Sequence, residues 1–259
     1  SPGVTRTSAR RGASTRADEV TSPEFARLAK AGTLFILPFG SLEEHGSHLP
    51  LGTDMFQAEE VARSVAEEFG AVVLPSVGYG ECRSTRNFPG TLSLSFETVR
   101  MLAQDIASEL ARNGVTRLLV LTGHAGSGHM AAIRLGVLRA VEASPSLRAM
   151  VLSDYDIAYE LKGKMFPEDD GHAGLIETSR ILNLRPELVG RERPVGKSRP
   201  PRFMVLPDPE RHIPTGVMGD PRGASARKGA AIDDYVVSEL CRLVAENFGI
   251  RRRKPRRRG

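Results

Sequence analysis

A chain of 259 residues, 40% of them hydrophobic, can bury one sizeable core and lies near the upper size for a single domain. Its formal charge of +5 belongs to its ends: Arg251 to Arg258 carries seven cations, Arg6, Arg10, Arg11 and Arg16 lie in a Ser/Thr/Gly-rich leader, and Asp18 to Ile250 is net acidic. A basic field over the folded part is thereby excluded, and no apolar run approaches the roughly 18 residues of a membrane span.

In chain order, apolar runs alternate with amphipathic stretches. "TLFILPFG" from Thr33 reads as a buried strand, and Ala58, Val61, Ala62, Val65, Ala66 and Phe69 then fall on one helical face that Gly70 stops. "AVVLPS" from Ala71 is a second strand, and Phe96, Val99, Leu102, Ala103, Ile106 and Leu110 mark a second helix closing at Gly114. "RLLVLTG" from Arg117 is a third strand, followed by a helix through Met130, Ile133, Val137 and Val141. "RAMVLS" from Arg148 is a fourth strand, and Tyr235 to Phe248 reads as a C-terminal helix. Repeated units of this kind predict an α/β fold in three layers (α/β/α) with a largely parallel sheet. The domain is expected over residues 21–250, between a flexible basic leader at 1–20 and a disordered basic tail at 251–259. Seven like charges beside a proline do not fold; their functional reading is salt-sensitive polyanion binding.

Cys82 and Cys241 are the only cysteines, far apart and in unlike contexts. Neither a disulfide framework nor a cysteine-based zinc site is expected, and both thiols read as buried or idle. Residues 1–17 lack the apolar stretch of a signal peptide, so the expected address is the cytoplasm.

In open α/β sheets, ligands bind beyond the carboxyl ends of the strands. There the first strand runs into "LPFGSLEEHGSHLPLGTD", Leu37 to Asp54, with Glu43 and His45 in the loop and Asp54 opening the next helix. His124 follows the third strand, and "HAGLIETS" at His172 to Ser179 is a third cluster of acid and imidazole. Taken singly, these groups read as a solvated loop, a helix N-cap at Asp54 and a core histidine. Together at strand ends they point to a metal centre, and carboxylates with imidazoles suit Zn, Mn or Fe. They are too many for one tetrahedral ion, so two divalent metal ions per chain are expected.

These residues resemble the creatininase (creatinine amidohydrolase) family. "GSLEEHGSHLPLGTD" is similar to that family's first motif, and "NFPGTLSL" from Asn87, "GHAGSGH" from Gly123, "HAGLIETS" and "TGVMGDPRGASARKG" from Thr215 extend the likeness over roughly residues 33–248. The resemblance implies hydrolysis of a C–N bond: amide, cyclic amide, formamide or peptide-like. It places Glu43 and His124 on one metal, His45 on the other and Asp54 between them. In creatininase proper a further carboxylate stands two residues after the second motif's histidine. Here that position is Gly126, and Glu177 is the replacement. His172 matches a histidine that moves protons. Relatives include a mycofactocin-maturing peptidase, and the family forms homo-oligomers, expected here as a hexamer. Creatininase proper closes its pocket with tryptophans; this chain has none, so creatinine is not the expected substrate.

Two further readings are carried. Tyr79, Glu81, Arg83 and Arg86 either contact substrate or face solvent, with solvent preferred. "GHAGSG" between strand and helix could make the chain a nucleotide-binding module with a nucleic-acid-binding tail, although its glycine order reverses the dinucleotide fingerprint and no P-loop lysine follows.

Overall fold

Every pairing in the sheet of the computed structural model, which describes residues 15–253, is parallel. Its strands are β1 (Thr15–Arg16), β2 (Phe35–Phe39), β3 (Val72–Val73), β4 (Arg117–Thr122) and β5 (Arg148–Ser153), in the order β1-β3-β2-β4-β5. Because side chains alternate along a strand, β2 and β4 serve two cores at once. Ile36, Leu119 and Leu121 face one cluster; Phe35, Leu37, Phe39, Leu118 and Val120 face the other. The first cluster is closed by α2 (Thr53–Phe69), α5 (Tyr155–Ala158), α6 (Leu175–Leu184) and α7 (Ala226–Phe248). The second is closed by α1 (Ser22–Lys30), α3 (Phe96–Arg112) and α4 (Ser127–Ala143). Three layers result, as the pattern predicts.

The expected second strand is reduced to two residues. Val72 and Leu74 donate to Leu34 and Ile36, but the next donor to β2 is Val77 rather than Ser76, onto the Pro38 carbonyl, so the regular alternation breaks after Leu74. Gly70 ends α2 in the left-handed region at φ 66°, as expected of a C-terminal glycine. α7 begins nine residues before the first apolar position read as helix. Ser225 caps it by accepting from the Lys228 N–H, and Gly229 lets it press against the Ser179 carbonyl of α6.

The fold also takes in more of the ends than the sequence boundaries assign. Thr15 and Arg16 pair with Val72 and Val73, extending the sheet into the leader. At the other end Arg252 donates to the Ser238 carbonyl, and the Arg253 N–H to that of Glu68. The rest of the expected leader, 1–14, and of the tail, 254–259, lies outside the described residues.

Candidate metal centre

Glu43, His45, Asp54, His124 and Glu177 are all buried, and buried polar groups need partners. The fold supplies them by converging three strand-end segments. The loop after β2 brings Glu43 and His45, the loop after β4 brings His124, and the first turns of α2 and α6 bring Asp54 and Glu177. Asp54 is not the N-cap of α2: Gly52 holds that position without a side-chain bond, so the carboxylate is free to face the cleft.

Asp54 stands between two groups. Its Oδ1 is 3.0 Å from His45 Nε2, and its Oδ2 is 3.2 Å from His124 Nδ1. Glu177 Oε2 lies 3.8 Å from the same His45 nitrogen, and Glu43 Oε2 lies 2.9 Å from the same His124 nitrogen. Each ring is fixed from behind. His45 Nδ1 donates to the Glu43 carbonyl at 3.0 Å and His124 Nε2 to the Glu81 carbonyl at 2.9 Å. A carbonyl only accepts, so in each ring the remaining nitrogen is the one turned toward the carboxylates. The carboxylates are fixed as well: Ser41 donates to Asp54 and to Glu43, Thr85 donates to Glu43, and the Ala173 N–H donates to Glu177. Ala173 adopts φ 52°, a left-handed conformation unusual for a residue with a Cβ. That turn brings its N–H onto Glu177 directly after His172.

Electrostatics tie the groups together. Burial opposes charge on His45 and His124, but Asp54 and Glu177 around the first, and Glu43 and Asp54 around the second, hold both rings well above the usual histidine value. Burial likewise opposes ionisation of Glu43, yet His124 brings its carboxyl down to about 2. Asp54 is lowered too, by His45 and His124 against burial. A divalent cation in place of the ring protons would supply the same neutralisation, and the donor set of carboxylate oxygens and free imidazole nitrogens fits one. His45, Asp54 and Glu177 present donor atoms within 4.8 Å of one another, and so do Glu43, Cys82 and His124.

His172 sits beside the centre. Its Nε2 donates to the Glu44 carbonyl at 2.8 Å and lies 3.4 Å from Glu44 Oε1, and its ring centroid is 4.4 Å from that of His45. Burial and the neighbouring His45 work against its charge; the Glu44 hydrogen bond and the nearby carboxylates raise its pKa overall. A cleft of about 700 Å³ opens over Glu43, Asp54, His124, His172 and Glu177.

Sequence reasoning passed over several residues. Cys82, read as buried or idle, is buried with its sulfur beside Glu43 and His124; no local motif marks it, because the three meet only through the fold. Ser41 and Thr85, which hold the carboxylates, carry no more signal than any hydroxyl. His48 and His129 are packing groups, bonded to Thr178 and Thr122 and pushed by burial down to about 4 and about 3. Tyr79, Glu81, Arg83 and Arg86 line a different depression from the cleft, while Ser84 and Thr85 between them face it. The phosphate-cradling reading of "GHAGSG" fails on geometry. A Cβ at Gly123 would overlap the Asp54 carbonyl, so this glycine serves the approach of two chain segments rather than a ligand.

A parallel α/β domain that gathers buried carboxylates and imidazoles at its strand ends, around a shared aspartate, is a metal-dependent hydrolase. The chain belongs to the creatininase family: the family model described as creatinine amidohydrolase matches residues 18–244. The creatinine amidohydrolase of Pseudomonas putida is 32% identical over 249 residues, covering 89% of this chain and 96% of that one. The mycofactocin precursor peptide peptidase of Mycobacterium tuberculosis (strain H37Rv) is 31% identical over 242 residues, covering 88% and 90%. Among solved structures, a creatinine amidohydrolase superposes with a TM-score of 0.82 at 32% identity, covering 91% of this chain and 98% of that one. A manganese form of creatininase gives 0.79 at 32% identity, covering 91% and 99%.

Proposed function

We propose that the chain is a dinuclear metal-dependent amidohydrolase in which Glu43 and His124 hold one divalent ion, His45 and Glu177 the other, and Asp54 bridges them. The observation that supports this most is the division of Asp54, one oxygen to each imidazole. A pair of divalent ions held there would supply activated water near neutral pH and polarisation of a carbonyl. The protein supplies the rest. Ser41 and Thr85 keep the carboxylates oriented, and the carbonyls of Glu43 and Glu81 keep each imidazole turned inward. With Nε2 of His172 committed to Glu44, Nδ1 is the nitrogen that hands a proton to the departing amine.

The substrate is an amide, cyclic amide, formamide or peptide-like C–N bond, and the cleft favours one that carries a carboxylate. Lys162, Lys197 and Arg199 line it against Asp169 and Asp170, and Asp170 is already engaged by the Leu175 and Ile176 N–H groups. A peptide with a free C-terminus fits that charge pattern, and the likeness to the mycobacterial peptidase supports a peptide substrate. Elemental analysis tests the centre: about two ions per chain are expected, with Asp54→Asn losing most of both. One ion in the parent protein, undiminished in Asp54→Asn, overturns the reading. Screening formamides, lactams, cyclic ureides and peptides with free or amidated C-termini tests the substrate class.

Assembly into a homo-oligomer, as a hexamer, is supported by the family resemblance and by the exposed apolar run Phe203, Met204 and Val205. A monomer mass by light scattering contradicts it. Among the described residues no helix is long and apolar enough to cross a membrane. Polyanion binding by the tail is tested by deleting residues 251–259 and following salt-dependent RNA binding; unchanged binding removes the tail from consideration.

A further inference from the structure

The two halves of the centre are not furnished alike. On the His45 side the donors are all oxygen or nitrogen. On the His124 side a sulfur joins them: Cys82 Sγ lies within 4.8 Å of both the Glu43 carboxylate and the His124 ring. Its placement is built by a short turn, two of whose other residues address the same spot. The Glu81 carbonyl, one residue before, orients His124, and Thr85, three residues after, holds Glu43. Cys82 itself is pinned by its N–H to Ser93 Oγ at 2.8 Å and by its carbonyl to the Thr85 N–H at 3.3 Å. The sulfur is buried and makes no disulfide. Gly126 offers no side-chain donor, and a Cβ there would lie 2.6 Å from His124 Nε2, the ring nitrogen turned away from the carboxylates.

We propose that Cys82 Sγ is a ligand of the ion held by Glu43, Asp54 and His124, completing a set of two oxygens, one nitrogen and one sulfur. This rests on the dinuclear reading above. Coordination deprotonates a thiol outright, so the Cys82 proton leaves for solvent as the ion enters. With metal–ligand bonds of about 2.0–2.3 Å, neighbouring donor atoms around the ion would stand roughly 3–3.5 Å apart, so a group gathered within 4.8 Å has to tighten only modestly, and a further position would stay open for water or substrate. A thiolate makes this half softer than the His45 half and biases it toward zinc over manganese. The two ions are therefore not equivalent.

Cobalt(II) substitution reads this directly, because a thiolate bound to cobalt gives a near-ultraviolet charge-transfer absorption that carboxylate and imidazole do not. The full chain loaded with two equivalents of cobalt is expected to show the band. Cys241→Ser is expected to keep it. Cys82→Ser is expected to lose it while retaining one cobalt tightly and binding the second at least about tenfold more weakly, the low end for loss of a ligand-supporting group. Cobalt bound without the band in the parent protein overturns the Cys82 assignment and leaves the dinuclear centre standing. Failure to bind cobalt, zinc or manganese at all overturns both. The parent spectrum decides the matter even if Cys82→Ser does not fold.

Discussion

Arg180 offers a test of the scaffold that is independent of the metals. It lies in α6, fully buried, with its guanidinium 2.8 Å from Asp154 Oδ2 and 2.7 Å from Asp233 Oδ1 and its Cζ 5.3 Å from the Tyr155 ring centroid. These contacts join α5 and α7 to the helix that carries Glu177. Arg180→Met keeps most of the volume and removes the charge, leaving a wholly buried Asp154 without its cation. Breaking a buried pair from one side costs about 3–5 kcal/mol, which at roughly 2–4 °C per kcal/mol for a domain of this size lowers Tm by about 6–20 °C. The pH dependence gives the sign. Burial, only partly offset by Arg180, already pushes the Asp154 carboxyl up to about 6. A carboxyl protonated more readily in the folded chain makes stability fall as pH rises from the ordinary carboxylate range through that value. Removing Arg180 takes away what lowers it, so the window extends upward and the variant's deficit is smaller at pH 5 than at pH 8. Thermal unfolding of both proteins in chelator keeps proton–metal competition out of the comparison. A Tm within about 2 °C of the parent, less than 1 kcal/mol on the same scale, or a deficit that grows toward pH 5, refutes the reasoning. Arg180→Met combined with Asp154→Asn and Asp233→Asn is expected to recover most of the loss, since no buried charge then remains in the triad.

His172→Ala is expected to keep both ions by elemental analysis and to lose roughly 10² to 10⁴ in turnover, the range for a general acid; full activity in a metallated variant removes the proton-transfer role. Metal entry is expected to release protons near pH 7, because the carboxylates hold His45 and His124 well above the usual histidine value until an ion displaces them. Calorimetric titration in buffers of differing ionisation enthalpy measures the release, and affinity should weaken from pH 7 toward pH 6; pH-independent binding without proton release would falsify the ligand roles of both rings.

Legibility followed periodicity. The long helices and the central strands β2, β4 and β5 were plain because apolar residues recur along them at helical spacing or in unbroken runs. α6 left no such trace, since Thr178, Ser179 and Arg180 are buried alongside Ile176 and Ile181 and no polar face remains to set the period. α1 is short and is announced by its capping box, Thr21 with Glu24, rather than by a stripe. In the centre, the groups supplied by motif were read at once: Glu43, His45, Asp54 and His124. Cys82 was not, because its sulfur comes near Glu43 and His124 only in the fold, through a loop from another part of the sheet.

Gly123 donates its N–H to the Phe39 carbonyl at 3.0 Å, and its missing side chain lets β4's exit seat directly on the Asp54 carbonyl. The distance between the two halves of the cluster is thereby written into the main chain and owes little to whatever the cluster holds. Such a gauge cannot stretch to suit its contents. Exchanging one cation for another should therefore alter bond strength and acidity while leaving the spacing nearly unchanged, and ions whose radii demand a wider gap are disfavoured by main-chain packing before any ligand discriminates between them.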